Sequence, residues 1–405
     1  MQMGTETYKF INLTTEKLDL AKLKELKSLQ VFSTITCEWL SELSKSLLKD
    51  PKTKQYPDVA TFSFFCRKAN LSKLKANHCN SDEVRLGRGI AFHIAQSNVP
   101  VNFAYTLISG LLAGNINIVK VPSKYFEQID VIIAVINKTL ENPQFQEIKK
   151  RIFIIKYDTS SETTSMISKI CDIRIIWGGN ETVINIKNIK SNPKSLDISF
   201  PDRYSISLIN AKAYLELEDK NKLSESFYND TYLFDQNACT APHSLFWVGI
   251  DQDIEESQDI FWEFMGKKLS EKQYVLNDIS AIDKLVTFYG QTTNKVSIKK
   301  AGRDNLIWRV DNKEIGQNID DFRCQSGYFN EFKIAHINDI SNVVKRNYQT
   351  LSYFGIERID LLNFFRINRP LGIDRAVPIG KTLDFSLCWD GYDLVNQMSR
   401  IVEIK

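Results

Sequence analysis

The 405-residue sequence lacks several features that would assign it to a specialised class of protein. It has no apolar run near the roughly 20 residues that a membrane-spanning helix needs, and its polar N-terminus lacks the apolar core of a secretory signal. Its seven cysteines are widely spaced without a CxxC pair, which argues against a zinc site or a disulfide framework. A formal net charge of only +3 does not indicate nucleic acid as a partner. We therefore expect a cytoplasmic protein with reduced thiols.

What is present is the composition of an ordinary globular protein with two or three domains, with 43% hydrophobic and 25% charged residues. From about residue 88, short apolar strands alternate with helices, and a second alternation begins after about 205. This pattern predicts an α/β fold with two doubly wound domains. The expected organisation is a mainly helical segment, a nucleotide-binding domain, a second α/β domain and a return segment, over residues 1–85, 86–207, 208–375 and 376–405.

Ligands of such sheets bind beyond the carboxyl ends of the strands. Lys120 ends the second predicted strand, NINIVKVPS, and Ser123 and Lys124 follow it. An acidic residue in this region would bind the ribose hydroxyls of NAD, so its absence predicts tolerance of a 2′-phosphate. The alternative is that Lys120 is a solvated loop lysine.

Gly178 and Gly179 follow the fourth predicted strand, DIRIIWGG, and precede a predicted helix over 180–187. Glycine allows close approach of a pyrophosphate, and a helix N-terminus favours its charge. Two adjacent glycines are also common in ordinary turns, and the GxGxxG fingerprint of dinucleotide folds is absent.

Asn98 ends the first predicted strand, and its amide could stabilise an oxyanion. Taken alone, its position before Pro100 favours a capping role at the following helix. In the second half of the chain, the segment ISNVVKRNYQ, residues 340–349, is predicted to be a helix.

Cys239 lies among small residues in the segment DQNACTAPH, between a predicted helix and a predicted strand. This context would leave its sulfur accessible as a nucleophile, although most cysteines are buried hydrophobic residues. His243 lies four residues later and could form a dyad with Cys239. Because the histidine partner of such a dyad is usually remote in sequence, we favour a structural role for His243.

Taken in order, these segments resemble the LuxC-type acyl-CoA reductases, a branch of the aldehyde dehydrogenase superfamily. The resemblance extends from about residue 85 to the C-terminus. It is carried by HIAQSNVPVNFAYTLISGLLAGNINIVKVPS, RIIWGGNE, DRYSISLI, DQNACTAPH and RAVPIGKTLDFSLCWDGYDLVNQMSRIVEI. The string WDGYDL is typical of that family. The resemblance implies an aldehyde-dehydrogenase-like fold with a cofactor domain and a catalytic domain.

The resemblance also implies roles for individual residues. Cys239 matches the cysteine that carries the acyl thioester, and Asn98 matches the asparagine of the oxyanion hole. The cofactor-binding positions implied by the family are Lys120 at the adenosine ribose, Ser123 and Lys124 where NAD-preferring members place a glutamate, and Trp177, Gly178, Gly179 and Asn180 at the phosphates. NADPH is therefore the expected cofactor.

Two segments depart from the superfamily pattern. Hydrolytic members have a glutamate base in the segment matched by residues 199–203, and this chain has none there. It should therefore transfer its acyl group to or from a thiol such as coenzyme A. Residues 324–327 lack the carboxylate that often binds the nicotinamide ribose.

The resemblance thus implies NADPH-dependent reduction of an acyl-CoA, or another activated acyl donor, to an aldehyde, with CoA as the leaving group. Fatty acyl groups are the usual substrates of the family. We also expect a homo-oligomer and, as a protein partner, an acyl-activating synthetase. Two alternatives stay open: a non-catalytic subunit of an acyl-transferring complex, and a cysteine thioesterase or acyltransferase that uses His243.

Overall fold

The computed structural model describes residues 10–79, 83–96, 98–158, 161–294, 298–301, 304–316 and 318–405. The chain forms two compact units, Met1–Pro201 with Leu387–Lys405, and Asp202–Ser386. It passes from the first unit to the second at 201/202 and returns at 386/387, compared with the expected boundaries at 207/208 and 375/376.

The N-terminal segment of the first unit is mainly helical. Helix α2 begins where Ser33 accepts a hydrogen bond from the backbone N–H of Thr36. Its apolar residues recur every three or four positions and are buried, which fixes the helix against its neighbours. The elements are β1 (Ile11–Asn12), α1 (Leu20–Leu23), α2 (Thr34–Lys49), a 3₁₀ turn (Pro51–Gln55), α3 (Pro57–Phe65) and α4 (Lys68–His78).

The rest of the first unit alternates strands and helices around a six-stranded sheet in the order β1-β5-β4-β3-β6-β7. All of its strands are parallel except the edge strand β1. The elements are β2 (Val84–Gly87), β3 (Ile90–Ile94), α5 (Asn102–Leu112), β4 (Ile116–Lys120), α6 (Glu127–Leu140), a 3₁₀ turn (Pro143–Phe145), α7 (Gln146–Lys149), β5 (Ile152–Lys156), α8 (Ser161–Ser168), β6 (Ile173–Trp177), α9 (Asn180–Lys187) and β7 (Leu196–Phe200).

Strands β3 and β6 at the centre of this sheet are buried along their whole length and are mostly apolar, because helices cover both faces. Ile94, at the end of β3, pairs with Lys120 of β4 on one side and Ile176 of β6 on the other. The strand order reverses at β3, so a crevice is expected beyond the carboxyl ends of β3 and β6.

The second unit contains a seven-stranded sheet in the order β10-β11-β12-β9-β8-β13-β14, parallel except for the edge strand β10. Its elements are β8 (Tyr204–Asn210), α10 (Ala211–Leu215), α11 (Lys220–Thr231), a 3₁₀ turn (Tyr232–Phe234), β9 (Pro242–Val248), α12 (Asp251–Glu271), α13 (Asp278–Asn294), β10 (Ile298–Ala301), β11 (Trp308–Asn312), 3₁₀ turns (Ile319–Phe322 and Ile337–Ile340), β12 (Tyr328–Ile334), β13 (Tyr348–Phe354), α14 (Arg358–Asn368) and β14 (Arg375–Pro378).

The C-terminal tail belongs to the first unit. It contains β15 (Cys388–Trp389), β16 (Tyr392–Asp393), α15 (Leu394–Met398) and β17 (Ser399–Val402). Strand β17 pairs with β2, and the Asn115 side chain donates to the carbonyl of Met398 at 2.9 Å. These contacts tie the tail to the first unit.

The helix predicted over residues 340–349 is wrong. Only a 3₁₀ turn ends at Ile340, and strand β13 begins at Tyr348. Val343 and Val344 are buried in the turn between them, which explains the helix-like pattern. Within the described residues, no helix has the length and apolarity that crossing a membrane requires.

Candidate active site

Cys239 lies in the loop between α11 and β9 and is half-buried. Its carbonyl accepts a hydrogen bond from the Ser205 hydroxyl at 2.7 Å, and the same hydroxyl accepts from the backbone N–H of Thr350 at 3.2 Å. The N–H of Ala241 donates to the carbonyl of Ala238 at 3.0 Å, closing a tight turn around the cysteine. The backbone of the candidate nucleophile is therefore fixed to β8 and β13.

The approach to this turn is strained and is stabilised by one buried amide. Asp235 and Gln236 both have positive φ, 52° and 58°, which is uncommon outside glycine. The Gln236 amide donates to the carbonyls of Pro242 (3.0 Å) and Tyr328 (3.3 Å). Its oxygen accepts from the N–H groups of Gly327 (2.7 Å) and Tyr328 (3.1 Å). Three of these bonds hold the cysteine loop against Gly327 and Tyr328 at the start of β12, and the fourth reaches Pro242, the first residue of β9.

Gly327 belongs to the segment that departs from the superfamily pattern. Its φ is +91°, and a Cβ at this position would lie 2.2 Å from the carbonyl oxygen of Leu306. Neighbouring Cys324 is buried, which raises the pKa of its thiol. This segment therefore supports the cysteine loop through backbone groups.

His243 is the second residue of β9 and is buried. Its Nδ1 lies 2.9 Å from the carbonyl of Cys324, so Nδ1 carries the proton and donates. Burial and the positive charge of Arg323 lower the pKa of His243 well below its usual range. The ring stacks on Tyr204 with centroids 5.6 Å apart. The imidazole is thus neutral and packed into the sheet, as expected for a structural role.

Lys120 ends β4 in the first unit, where its Nζ lies 5.1 Å from the centre of the Tyr157 ring. Burial lowers the pKa of Lys120, and the carboxylate of Asp158 partly opposes this shift. Ser123 and Lys124 are exposed in the loop that follows. This edge offers a cation and a hydroxyl, and residues 121–126 contain no carboxylate, which fits a phosphate-bearing ligand.

Trp177 ends β6 and stacks on Phe200, the last residue of β7, with ring centroids 3.7 Å apart. The ring of Tyr392, from the WDGYDL string of the tail, meets Phe200 edge-on at 5.7 Å. Gly178 has no room for a side chain, because a Cβ would lie 2.9 Å from Thr182. Gly179 is the N-cap of α9, and Asn180 is its first residue. The turn therefore presents backbone and a helix N-terminus at the carboxyl edge of the sheet.

A chain of buried hydrogen bonds lies behind this turn. The Trp177 indole donates to the Thr106 hydroxyl at 3.2 Å, which lies 2.7 Å from Nδ1 of His93. Nε2 of His93 lies 3.0 Å from Oδ1 of Asn117, an acceptor, so Nε2 carries the proton. Burial lowers the pKa of His93 to about 4, although the bond to Asn117 opposes this shift. A neutral histidine therefore orients the polar groups under the turn at residues 177–180.

Asn98 is exposed in the loop between β3 and α5. The helix begins at Asn102 with Val101 as its N-cap, so the capping role favoured for Asn98 is wrong. It is Asn102 whose side chain accepts the backbone N–H of Gln96, at 3.3 Å. Asn98 belongs to the first unit and Cys239 to the second.

The structure brings the expected cofactor residues of the first unit to one edge of its sheet. Sequence reasoning did not identify the residues that support the two loops. In the second unit these are Ser205 and Gln236, and in the first unit Phe200 and the Thr106–His93 pair. Their partners are remote in sequence, so no local pattern could have identified them. Among the described residues, no three His, Cys, Asp or Glu side chains cluster as a metal site would require.

The fold is that of the aldehyde dehydrogenases. A 1-pyrroline-5-carboxylate dehydrogenase from Thermus thermophilus superposes with a TM-score of 0.59 at 14% identity, covering 91% of this chain and 80% of that protein. An NAD-dependent benzaldehyde dehydrogenase from Corynebacterium glutamicum superposes with a TM-score of 0.59 at 11% identity, covering 91% of this chain and 85% of that protein. At these identities the likeness shows the fold alone.

The family is more specific than the fold. Residues 67–401 match the family described as acyl-CoA reductase (LuxC), and the chain belongs to that family. It is similar to a long-chain acyl-protein thioester reductase of Aliivibrio fischeri, with 23% identity over 164 residues, 40% of this chain and 32% of the relative. Similarity to the long-chain acyl-protein thioester reductase 2 of Photobacterium leiognathi is 23% over 195 residues, 47% and 37% of the two chains. The matched regions thus span only about a third of these relatives' length.

Proposed function

We propose that this chain reduces an activated acyl group to an aldehyde with NADPH, through a thioester on Cys239. The observation that carries the proposal is the half-buried cysteine in a hydrogen-bonded turn of a LuxC-family chain. The donor is an acyl-CoA or a protein-bound acyl thioester, the substrate named for the two relatives.

NADPH as the cofactor is supported by the composition of the sheet edge. Lys120, Ser123 and Lys124 would meet the adenosine ribose and a 2′-phosphate, since no carboxylate in that loop would repel it. Gly178 and Gly179 would let the backbone approach the pyrophosphate, and the N-terminus of α9 would favour its charge.

In the proposed reaction, the Cys239 thiolate attacks the acyl carbonyl, and the tetrahedral intermediate collapses to the Cys239 thioester as the donor sulfur leaves as a thiolate. The amide of Asn98 and the backbone N–H of Cys239 stabilise the oxyanion, and loss of one such donor costs about 3 kcal/mol of barrier. When bound, NADPH supplies hydride to the thioester carbonyl. The resulting thiohemiacetal on Cys239 collapses to release the aldehyde and restore the thiolate.

The absence of a glutamate at residues 199–203 supports reduction over hydrolysis. Ser199 and Phe200 lie at the end of β7, where the Phe200 ring stacks on Trp177 and meets Tyr392 edge-on. Neither residue is a base that could activate water, and the carboxylate of this segment, Asp202, lies two residues beyond the strand. The packed, neutral His243 likewise gives no support to a thioesterase reading.

The test is intact-protein mass spectrometry after incubation with acyl-CoAs of several chain lengths, without NADPH. We expect the wild-type chain to gain one acyl mass and Cys239→Ala to gain none. Cys79→Ala, which removes another exposed thiol, is the matched control and should behave as wild type. Adding NADPH should then discharge the acyl group as aldehyde.

Reduction of acyl-CoA by Cys239→Ala at the wild-type rate would refute the assignment. Discharge of the acyl group without NADPH would instead favour a thioesterase. Absence of both acylation and NADPH consumption would favour a non-catalytic subunit.

A further inference from the structure

Helix α13 exposes apolar side chains and buries polar ones, the reverse of an ordinary surface helix. Ser280, Lys284 and Gln291 face the protein, with only 8%, 0% and 1% of their surface exposed. The outward face consists of Ile279 (66% exposed), Ile282 (61%), Leu285 (44%), Val286 (66%) and Tyr289 (60%), and exposed Val275 (84%) lies three residues before the helix. We call these six residues the α13 stripe.

The orientation of α13 is fixed by hydrogen bonds on its inner side. The Gln291 amide donates to the side-chain oxygens of Asn312 (3.0 Å) and Asn330 (2.8 Å) and accepts from the Tyr328 hydroxyl (2.8 Å). The Lys284 ammonium donates to the carbonyl of Asn305 at 2.5 Å. Rolling the helix to bury its stripe would break these bonds and leave the buried partners of Gln291 and Lys284 unpaired, which is costly.

The spacing of the α13 stripe suits a second helix. Within the helix, Ile279, Ile282, Val286 and Tyr289 are separated by steps of three, four and three residues. This is the a/d spacing of a helix–helix seam. A contiguous apolar patch of this kind on a folded protein marks an interaction site.

The charges beside the stripe indicate the sign of the partner. Asp278 and Asp283 are the exposed charged residues of α13, and both are acidic. The only lysine of the helix, Lys284, is buried. Pairing with a second copy of α13 would bring acidic residues beside one another, whereas a helix with lysine or arginine beside its apolar seam would complement them.

The stripe is also connected to the cysteine loop of the same unit. The Tyr274 hydroxyl, just before α13, donates to the Asp235 carboxylate at 2.6 Å. The carbonyl of Asp235 accepts from the N–H of Ser326, whose hydroxyl lies 3.4 Å from that of Ser280 on α13. One short set of contacts therefore links α13 to the strained residues that precede Cys239.

We propose that the α13 stripe docks a basic-flanked amphipathic helix of the protein that delivers the acyl thioester. This inference rests on the proposed function, because it requires that the chain accept an acyl group from a donor. A protein-bound donor is the substrate in the names of the two relatives. Docking on α13 would hold such a donor on the unit that carries Cys239.

The probe is a fluorescent helical peptide with leucine at a and d positions and lysine at e and g, compared with a twin that has glutamate at e and g. Fluorescence anisotropy with the full chain should show the lysine peptide binding at least tenfold more tightly. Ile282→Asp should weaken that binding at least tenfold. Ile367→Asp on α14, where the side chain is 72% exposed, is the matched control and should leave binding unchanged.

A second arm tests delivery. Each peptide carries an S-octanoyl cysteine on a flexible glycine–serine linker, and acyl transfer to Cys239 is followed by intact mass. We expect faster transfer from the lysine peptide, with the advantage lost in Ile282→Asp. Equal transfer from both peptides would overturn the delivery role.

Circular dichroism and thermal unfolding verify that Ile282→Asp is folded, and Val286→Ser provides a milder second variant. Equal binding of the two peptides, or unchanged binding by both variants, would overturn the proposal. A wild-type dimer in light scattering that becomes a monomer in Ile282→Asp would assign the stripe to a second copy instead. Peptide binding requires neither NADPH nor acyl-CoA, so its failure is distinct from a failure of the proposed reductase.

Discussion

The cysteine loop of the second unit, residues 235–241, and the turn at residues 177–180 of the first, the WGGN turn, are supported by different forces. Gln236 fixes the cysteine loop through four hydrogen bonds to backbone groups, across two residues with positive φ. The WGGN turn is supported by ring packing, with Trp177 on Phe200 and Tyr392 against Phe200.

The difference fits the roles proposed for the two loops, which are to hold a nucleophile and to bind a cofactor. Hydrogen bonds are directional, so they can hold a strained loop in one conformation and place a nucleophile within a fraction of an ångström. Ring packing is less directional and leaves the backbone groups of the turn available for a ligand. Removing the supporting contacts should therefore have a larger effect on stability and activity at the cysteine loop than at the WGGN turn.

The largest effect is expected from Gln236→Ala, which removes the acceptor of the Gly327 and Tyr328 N–H groups. Two unpaired buried donors should lower the free energy of unfolding of the second unit by about 2–5 kcal/mol. Displacement of the nucleophile should slow acylation of Cys239 about a hundredfold. Urea unfolding and acylation followed by intact mass provide the two measurements.

Gln273→Ala is the control for that variant. Gln273 also has a positive φ, 51°, but its side chain is exposed. Both variants place alanine at a left-handed position, so their difference isolates the hydrogen bonds. Equal losses in the two variants would contradict the role assigned to the Gln236 amide.

A smaller effect is expected at the polar chain under the WGGN turn. Because the native pKa of His93 is about 4, against about 6.5 in an unfolded chain, only the unfolded chain takes up a proton between these values. The stabilisation is complete above pH 6.5 and is lost as the pH falls to 4, by up to about 3 kcal/mol. His93→Gln should remove this loss of the free energy of unfolding between pH 6.5 and 4. Urea unfolding at several pH values measures it. A wild-type slope in His93→Gln would show that residue 93 does not carry the effect.

The smallest effect is expected from Tyr392→Leu, which removes the edge-on contact with Phe200. Such an aromatic pair contributes about 0.5–1.5 kcal/mol, so the Kd for NADPH should rise about two- to tenfold. Fluorescence titration with NADPH measures this, and Tyr392→Phe, which keeps the ring, should bind as wild type. If Leu and Phe behave alike, the ring contact does not support the turn.

Buried parallel strands such as β5, Ile152–Lys156, were predictable because helices cover both faces of the sheet, which favours an apolar run. Helix α13 was missed, because its polar side chains bond to strands of the sheet and its apolar ones face outward. Strand β7 was missed as well, since only two of its five residues are buried.

At the candidate site, the local context of Cys239 and of the WGGN turn could be read from the sequence. The residues that support each of them could not be identified from the sequence. Gln236 acts on Gly327 and Tyr328, about ninety residues away in the chain, and Phe200 meets Tyr392 from the tail. Such partners become visible only when the fold brings them together.

The pairing of β17 with β2 has a consequence for how the molecule is made. The whole second unit is inserted into the first, so the ribosome must synthesise all of Asp202–Ser386 before the last strand of the first unit exists. A nascent chain that has just completed the second unit still has an unfinished first unit, in which the Asn115 side chain lacks its partner, the carbonyl of Met398. The first unit is thus the first to begin synthesis and the last to complete its fold.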